Sequence, residues 1–171
     1  MRAMKMLVLA LAAAGGCDGS PDQTGEQGAA SAPAAATESC EVLAPEDSQA
    51  VTGTAVTRVA YDPSQGLGGN CGNFADAEGE PFLGVSRLAT RQDFTQTVES
   101  TPADMYPTRQ PLPGLGDEAI LLSGGEGRFR LRLLVARRGE RGVVLFPLLD
   151  GMSMPDDQLQ ALAERALSRV E

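Results

Sequence analysis

Apolar residues in the second half of this 171-residue chain recur with two periods, and the change from one to the other separates strands from helix. Ala119 to Leu122, Arg128 to Ala136 and Gly142 to Leu148 are rich in leucine and valine and are broken at Gly124-Gly125-Glu126-Gly127 and Arg138-Gly139-Glu140-Arg141. That pattern predicts three strands of an antiparallel meander. Within the middle strand Phe129, Leu131 and Leu133 alternate with Arg128, Arg130 and Arg132, which predicts one face in the core and the other in water. From Pro155 to Val170 the period lengthens, and Leu159, Leu162, Ala163, Ala166 and Val170 fall on one stripe of a helix. Asp156 and Asp157 oppose the positive end of that helix, and Arg165 and Arg169 suit the negative end.

The first half carries weaker but compatible signals. Pro45 at a first helical position, Glu46 and Asp47 in the opening turn, Ala50 and Val51 facing inward and Gly53 at the end predict a short helix. Thr54 to Tyr61 alternates β-branched residues and reads as a strand; Pro63 to Asn70 is a glycine-rich loop; Cys71 to Ala75 and Pro81 to Leu88 read as two more strands. Thr90 with Asp93 resembles a capping box for a helix carrying Phe94 and Val98, ending before Pro102. The element order is α-β-β-β-α-β-β-β-α. This is an α+β layer fold with a six-stranded antiparallel sheet and helices packed on it.

Ahead of this domain lies a different kind of sequence. Arg2 and Lys5 precede an apolar run from Met6 to Ala14 and the small pair Gly15 and Gly16. A basic start and about nine apolar residues read as a secretory signal, too short to cross a hydrocarbon core about 30 Å thick. Ala14-Gly15-Gly16-Cys17 resembles a lipobox, the small-residue site after which lipoprotein signal peptidase cuts. Cleavage there would leave Cys17 as the acylated first residue. Leu is usual where Ala14 stands, and Ala12-Ala13-Ala14 would also suit an ordinary signal peptidase, which gives a secreted chain as the alternative. Residues 18 to 39 contain no Val, Ile, Leu, Met or aromatic, so they have nothing to bury and read as a disordered tether. As a flexible coil they would span about 25 Å, and at full stretch about 75 Å. The organisation is therefore signal peptide 1–16, lipidated Cys17 and tether 17–39, and one globular domain 40–171.

Cysteine arithmetic fits that division. Of three cysteines, lipidation uses Cys17 and leaves Cys40 and Cys71 as a pair suited to an oxidising compartment. Their disulfide would close a loop of about 32 residues and contribute about 3–4 kcal/mol on the chain-entropy model. No CxxC spacing marks a redox role. Loss of Arg2 and Lys5 with the signal takes the formal charge from −9 to −11. So acidic a surface repels phosphate backbones and anionic headgroups, arguing against nucleic acid or a lipid surface as main partner. Membrane attachment then rests on the acyl anchor, outside the cytoplasm of a bacterium. Thirteen arginines against one lysine suit a GC-rich genome. Asp18 after the anchor cysteine resembles an inner-membrane retention signal of enteric bacteria, with inner and outer membrane both left open.

A family resemblance joins these parts. A cysteine before the Leu43-Ala44-Pro45-Glu46-Asp47 helix, a second cysteine about thirty residues on, Pro113-Gly114-Leu115-Gly116-Asp117-Glu118-Ala119, the Leu133-Leu134-Val135-Ala136-Arg137 strand and the Leu159-to-Val170 helix together resemble small lipoproteins of high-GC bacteria. Mycobacterial members of that group are similar to the PsbP-like α/β/α sandwich. The resemblance implies a fold and a location and no activity.

Candidate chemistry is narrowed by exclusion. The chain has no histidine, which removes a Ser-His-Asp triad, a histidine-ligated zinc site and a histidine general base. Lys5 departs with the signal, removing a lysine nucleophile, and bridged Cys40 and Cys71 offer no thiolate. A carboxylate-only hydrolase is the remaining enzymatic alternative, but a glycosidase-type pair needs an aromatic-rich cleft and the chain has no Trp. The favoured reading is a non-enzymatic binding module without cofactor or metal, holding an envelope protein, polymer or small ligand.

Three constellations remain. Asp76, Glu78 and Glu80 supply calcium-type oxygens but lack a full loop pattern, so a hairpin turn is the better account. Gly114-Leu115-Gly116-Asp117-Glu118 has the glycines of a phosphate loop but opens a strand and carries two acids; it reads as a turn whose Asp117 bonds the turn's own backbone. Arg128, Arg130 and Arg132, with Arg137, Arg138 and Arg141 nearby, place six of the twelve mature arginines within fourteen residues. Fork-shaped donors on a strand could grip carboxylates or phosphates of a partner; a solvated face paired to neighbouring acids is the plainer alternative.

Overall fold

Local sequence chemistry sets the ends of the helices. In the computed structural model of the protein, which describes residues 41–59, 71–127 and 129–170, helix α1 runs Pro45–Thr52 and ends at Gly53, whose N–H donates to Gln49 O at 2.9 Å. At its start the Ala44 N–H donates to Asp47 Oδ2 at 2.8 Å. Helix α2, Arg91–Ser100, has the expected reciprocal cap: Asp93 N–H donates to Thr90 Oγ1 at 3.1 Å and Thr90 N–H to Asp93 Oδ2 at 2.9 Å. Helix α3, Asp156–Leu167, begins after Pro155, which is its N-cap rather than its first residue.

Among the described residues seven strands form one antiparallel sheet, one more than the pattern predicts. They are β1 (Thr57–Val59), β2 (Gly72–Ala75), β3 (Pro81–Leu88), β4 (Thr108–Pro111), β5 (Glu118–Gly124), β6 (Leu131–Arg138) and β7 (Arg141–Pro147), in the order β1-β2-β3-β7-β6-β5-β4. Two meanders therefore meet at the β3–β7 pair, and the segment containing α2 carries the chain from β3 to the far edge. The strand missing from the sequence reading is β4. Its residues, Thr-Arg-Gln-Pro, are all exposed, so burial imposes no alternation, and Pro111 is tolerated because an edge strand needs no donor on its open side.

The sheet is apolar on both faces. Leu134 and Ala136 of β6, with Leu83, Val85, Val143 and Leu145, join the α3 stripe of Leu159, Leu162, Ala163, Ala166 and Leu167. Each leucine buried there contributes about 1.5–3 kcal/mol. Between them, Val135, Leu122, Val144 and Leu88 turn to the opposite face and pack on Phe94 and Val98 of α2. The layers are α1 and α3, sheet, and α2. All described residues belong to one compact unit, Ala36–Glu171.

Two expected facings are reversed. In α1 Val51 packs on the core as expected, but the fully buried residues are Asp47 and Ser48 and Ala50 is exposed. At the start of β6, Phe129 is 69% exposed and Arg132 only 3%. The strand begins three residues later than predicted because the hairpin loop closes on itself: Phe129 N–H donates to Glu126 O at 3.2 Å, and a Cβ on Gly125 would lie 2.1 Å from Phe129 O. With both faces covered, even-numbered β6 residues turn to the α3 side, and Arg132 goes with them.

Candidate functional site: an anchored turn and an exposed apolar tip

After β7 the chain passes through Leu148 into a 3-10 turn, Leu149–Ser153, and then through Met154 and Pro155 into α3. Close backbone approach fixes this turn. Leu148 N–H donates to Phe82 O at 2.9 Å, and a Cβ at Gly151 would meet that oxygen at 1.9 Å. Leu149 has φ +24°, the one positive value at a non-glycine among the described residues. Such a conformation costs about 1–3 kcal/mol and persists only where its surroundings enforce it.

Arg132 is the enforcing group. Its Nη1 donates to Met154 O and to Asp156 Oδ1 (2.8 Å), and its Nη2 to Met152 O (2.8 Å) and Gly151 O (3.3 Å). One planar fork thus satisfies three carbonyls of the turn and a carboxylate in the first turn of α3, where that negative charge also suits the helix. Arg132 is therefore unavailable to a partner, contrary to the expectation of a solvated arginine row.

Next to this anchored turn lies the tip of the β5–β6 hairpin. Phe129, Arg130, Leu149, Met152, Met154 and Pro155 line a shallow depression of about 650 Å³, open to solvent. Leu149 is 55% exposed; with Phe129 it makes two of the four large apolar side chains left in water among the described residues. Arg130 is exposed and makes no ion pair among the described residues. An aromatic ring, two thioethers and a solvated guanidinium around an open depression suit contact with an apolar group that carries negative charge.

Four other arginines, Arg137, Arg141, Arg165 and Arg169, are spent on the fold. Arg137 pairs with Glu118 (Nη2 to Oε2, 2.9 Å), donates to Gly139 O, and stacks 5.8 Å from the centre of the Phe94 ring. Arg141 donates to Val170 O beyond the end of α3. Arg165 and Arg169 do more than oppose a helix dipole: both reach Asp47, joining α3 to α1. Burial alone would raise the Asp47 carboxyl, but the Ala44 N–H, Arg169 and Arg165 outweigh it and hold the group below its usual range. Arg128 lies outside the described residues, as do Cys17, Cys40 and residues 1–39. Cys71 is buried beside β2 and is not a free thiol.

Two further acids, Asp76 and Asp117, serve turns. Asp76 Oδ1 accepts from Glu78 N–H (3.0 Å) and Glu80 N–H (2.9 Å), which closes the β2–β3 hairpin. Asp117 accepts from Gly139 N–H at 2.8 Å, so it bonds the neighbouring β6–β7 turn and not its own. Among the described residues no three potential ligands gather around a cation position, and no helix is long and apolar enough to cross a membrane. Burial raises the Tyr106 phenol above its usual pKa, which keeps it protonated.

Sequence reasoning found Arg130 but missed Phe129, Leu149 and the two methionines. Leu149-Asp150-Gly151-Met152-Ser153-Met154 before Pro155 has neither strand nor helix period, and that apolar stretch outside any periodic element was the available signal. Comparisons with protein-family models, with curated proteins and with solved structures return no match for this chain.

Proposed function

We propose that the protein is an extracytoplasmic lipoprotein of a bacterial envelope, attached to a membrane by acylated Cys17, with a domain that binds a partner through the β5–β6 hairpin tip. The observation that carries the binding reading is the exposed Phe129 beside Arg130, which makes no ion pair among the described residues, and the exposed Leu149 in a turn that Arg132 anchors. An apolar side chain in a strained, well-fastened turn has a cost to stability that contact with a partner explains. The signal-like run, the lipobox-like Ala14-Gly15-Gly16-Cys17, the apolar-free tether and the Cys40–Cys71 pair support the location. The three-layer arrangement agrees in outline with a PsbP-like sandwich.

Carboxylate chemistry finds little support. Asp47, Asp76, Asp93, Asp117, Glu118 and Asp156 are engaged with backbone N–H groups or arginines, so these six offer no free carboxylate pair. Two measurements test the reading. Cys17→Ser is expected to move the protein from the membrane to the soluble fraction; an unchanged distribution would remove the anchor. Crosslinking in the native host, followed by mass spectrometry, is expected to recover an envelope partner covalently joined to the domain.

A further inference from the structure

The binding reading can be narrowed to a ligand class from the charge at Arg130 and the shape of the depression. The one charged side chain lining the depression is Arg130, with Glu126 in the same hairpin loop. Arg130 stands without an ion pair among the described residues of a chain whose formal charge is −9, and the ring of Phe129 and the Leu149 side chain lower the local dielectric around a carboxylate that reached it. The depression is shallow. A depression of about 650 Å³ open to solvent takes a side chain or two from a passing segment and does not enclose a free small molecule, whose pockets bury most of its surface. Met152 and Met154 at its base provide adaptable apolar contact, and the Arg132 hydrogen bonds hold the backbone in place beforehand.

Helix α3 places the depression. Pro155, the N-cap of this helix, lines the depression, whereas Arg169, past its other end, lies on Asp47 of α1 and shares a surface recess with Glu41. Twelve helical residues put about 18 Å between these ends. The depression and Glu41 therefore lie near opposite ends of α3.

We infer that the hairpin tip docks an extended segment of a partner protein in which an Asp or Glu stands within two residues of a Leu, Ile, Met or Phe, the carboxylate on Arg130 and the apolar side chain between Phe129 and Leu149. This rests on the binding-module reading and specifies its ligand.

Selection from a random peptide library against the full chain tests it. The recovered peptides are expected to carry that acid-plus-apolar pattern, and Arg130→Glu and Phe129→Ser are each expected to weaken their binding at least tenfold. Peptides with Lys in place of the acid are expected to bind Arg130→Glu better than wild type, a reversal that misfolding cannot produce. Gln96→Ala, on the exposed side of α2, is the control expected to change nothing. Recovery of no peptides, of peptides without an acid, or of binding indifferent to Arg130→Glu would overturn the inference. So would binding to phosphatidylglycerol vesicles or oleate that persists when peptides fail. If peptides fail while crosslinking in cells still joins a partner through another face, the module reading stands and only this assignment falls.

Discussion

Replacing Arg132 by Met removes the guanidinium while keeping much of its apolar length, so the change isolates the hydrogen bonds from the packing. Three carbonyl oxygens, of Gly151, Met152 and Met154, lose their charged donor, and Asp156 loses its ion-pair partner. A hydrogen bond to a charged group contributes about 1.5–3 kcal/mol, which summed over three carbonyls is about 5–9 kcal/mol. Two corrections reduce this. The turn borders the open depression, so water reaches part of the vacated space, and burying the arginine itself carried a desolvation cost that is now recovered. The expected loss is about 3–4 kcal/mol, a large share of the roughly 5–15 kcal/mol that stabilises a domain. By thermal unfolding this corresponds to about 10–15 °C. Asp156→Asn is the diagnostic partner: its side chain is 37% exposed and rehydrates, so the expected cost is under about 1 kcal/mol. Arg132→Lys keeps the charge but lacks the fork, and is expected to recover about half of the loss. Urea unfolding of the four proteins, followed by circular dichroism, gives the comparison. A cost below about 1 kcal/mol for Arg132→Met, or equal costs for Arg132→Met and Asp156→Asn, would refute the carbonyl-anchoring argument.

Further outcomes follow from the same geometry. Asp47 has its folded pKa below the ordinary 3.8, so its contribution is present above that value and is lost as pH falls through the lower, folded one. Asp47→Asn is expected to cost about 1–2 kcal/mol at pH 6 and almost nothing at a pH below both values, read as converging urea midpoints. Gly116→Ala meets both a φ of +65° and the Arg137 carbonyl, which a Cβ would approach to 2.3 Å, whereas Gly79 at φ +87° faces open space. Alanine is expected to cost about 1 kcal/mol at Gly79 and at least about 2 kcal/mol at Gly116, a difference readable in thermal midpoints.

Elements specified by local chemistry were legible in the sequence, and those specified by distant partners were not. Strand β3 occupies the predicted Pro81–Leu88, the Thr90–Asp93 cap starts α2, and the whole α3 stripe is buried, because capping and apolar period act within a few residues. Strand β4 left no pattern because nothing buries it. Arg132 was misread for a complementary reason. Alternation assigns it to water, but its burial depends on carbonyls 19 to 22 residues further along, presented by a turn that no period announces. Phe129 was read into the core on the same alternation, and the hairpin closure at Gly125 places it outside. The Asp47 link was hidden likewise: its arginines lie 118 and 122 residues away. Phe129 of the candidate site and the Arg132 that anchors its neighbouring turn are thus residues whose surroundings contradict their local pattern, whereas Arg130 follows its own.

The central claim, that this domain meets its partner through the hairpin tip, is tested most directly by a photoreactive residue in place of Phe129, irradiated in intact cells, with the same substitution at Gln96 on α2 for comparison. Crosslinks to an envelope protein from position 129, absent from position 96 and lost in the Arg130→Glu background, are the predicted result. Equal crosslinking from both positions, or none from position 129 while position 96 reacts, would contradict it.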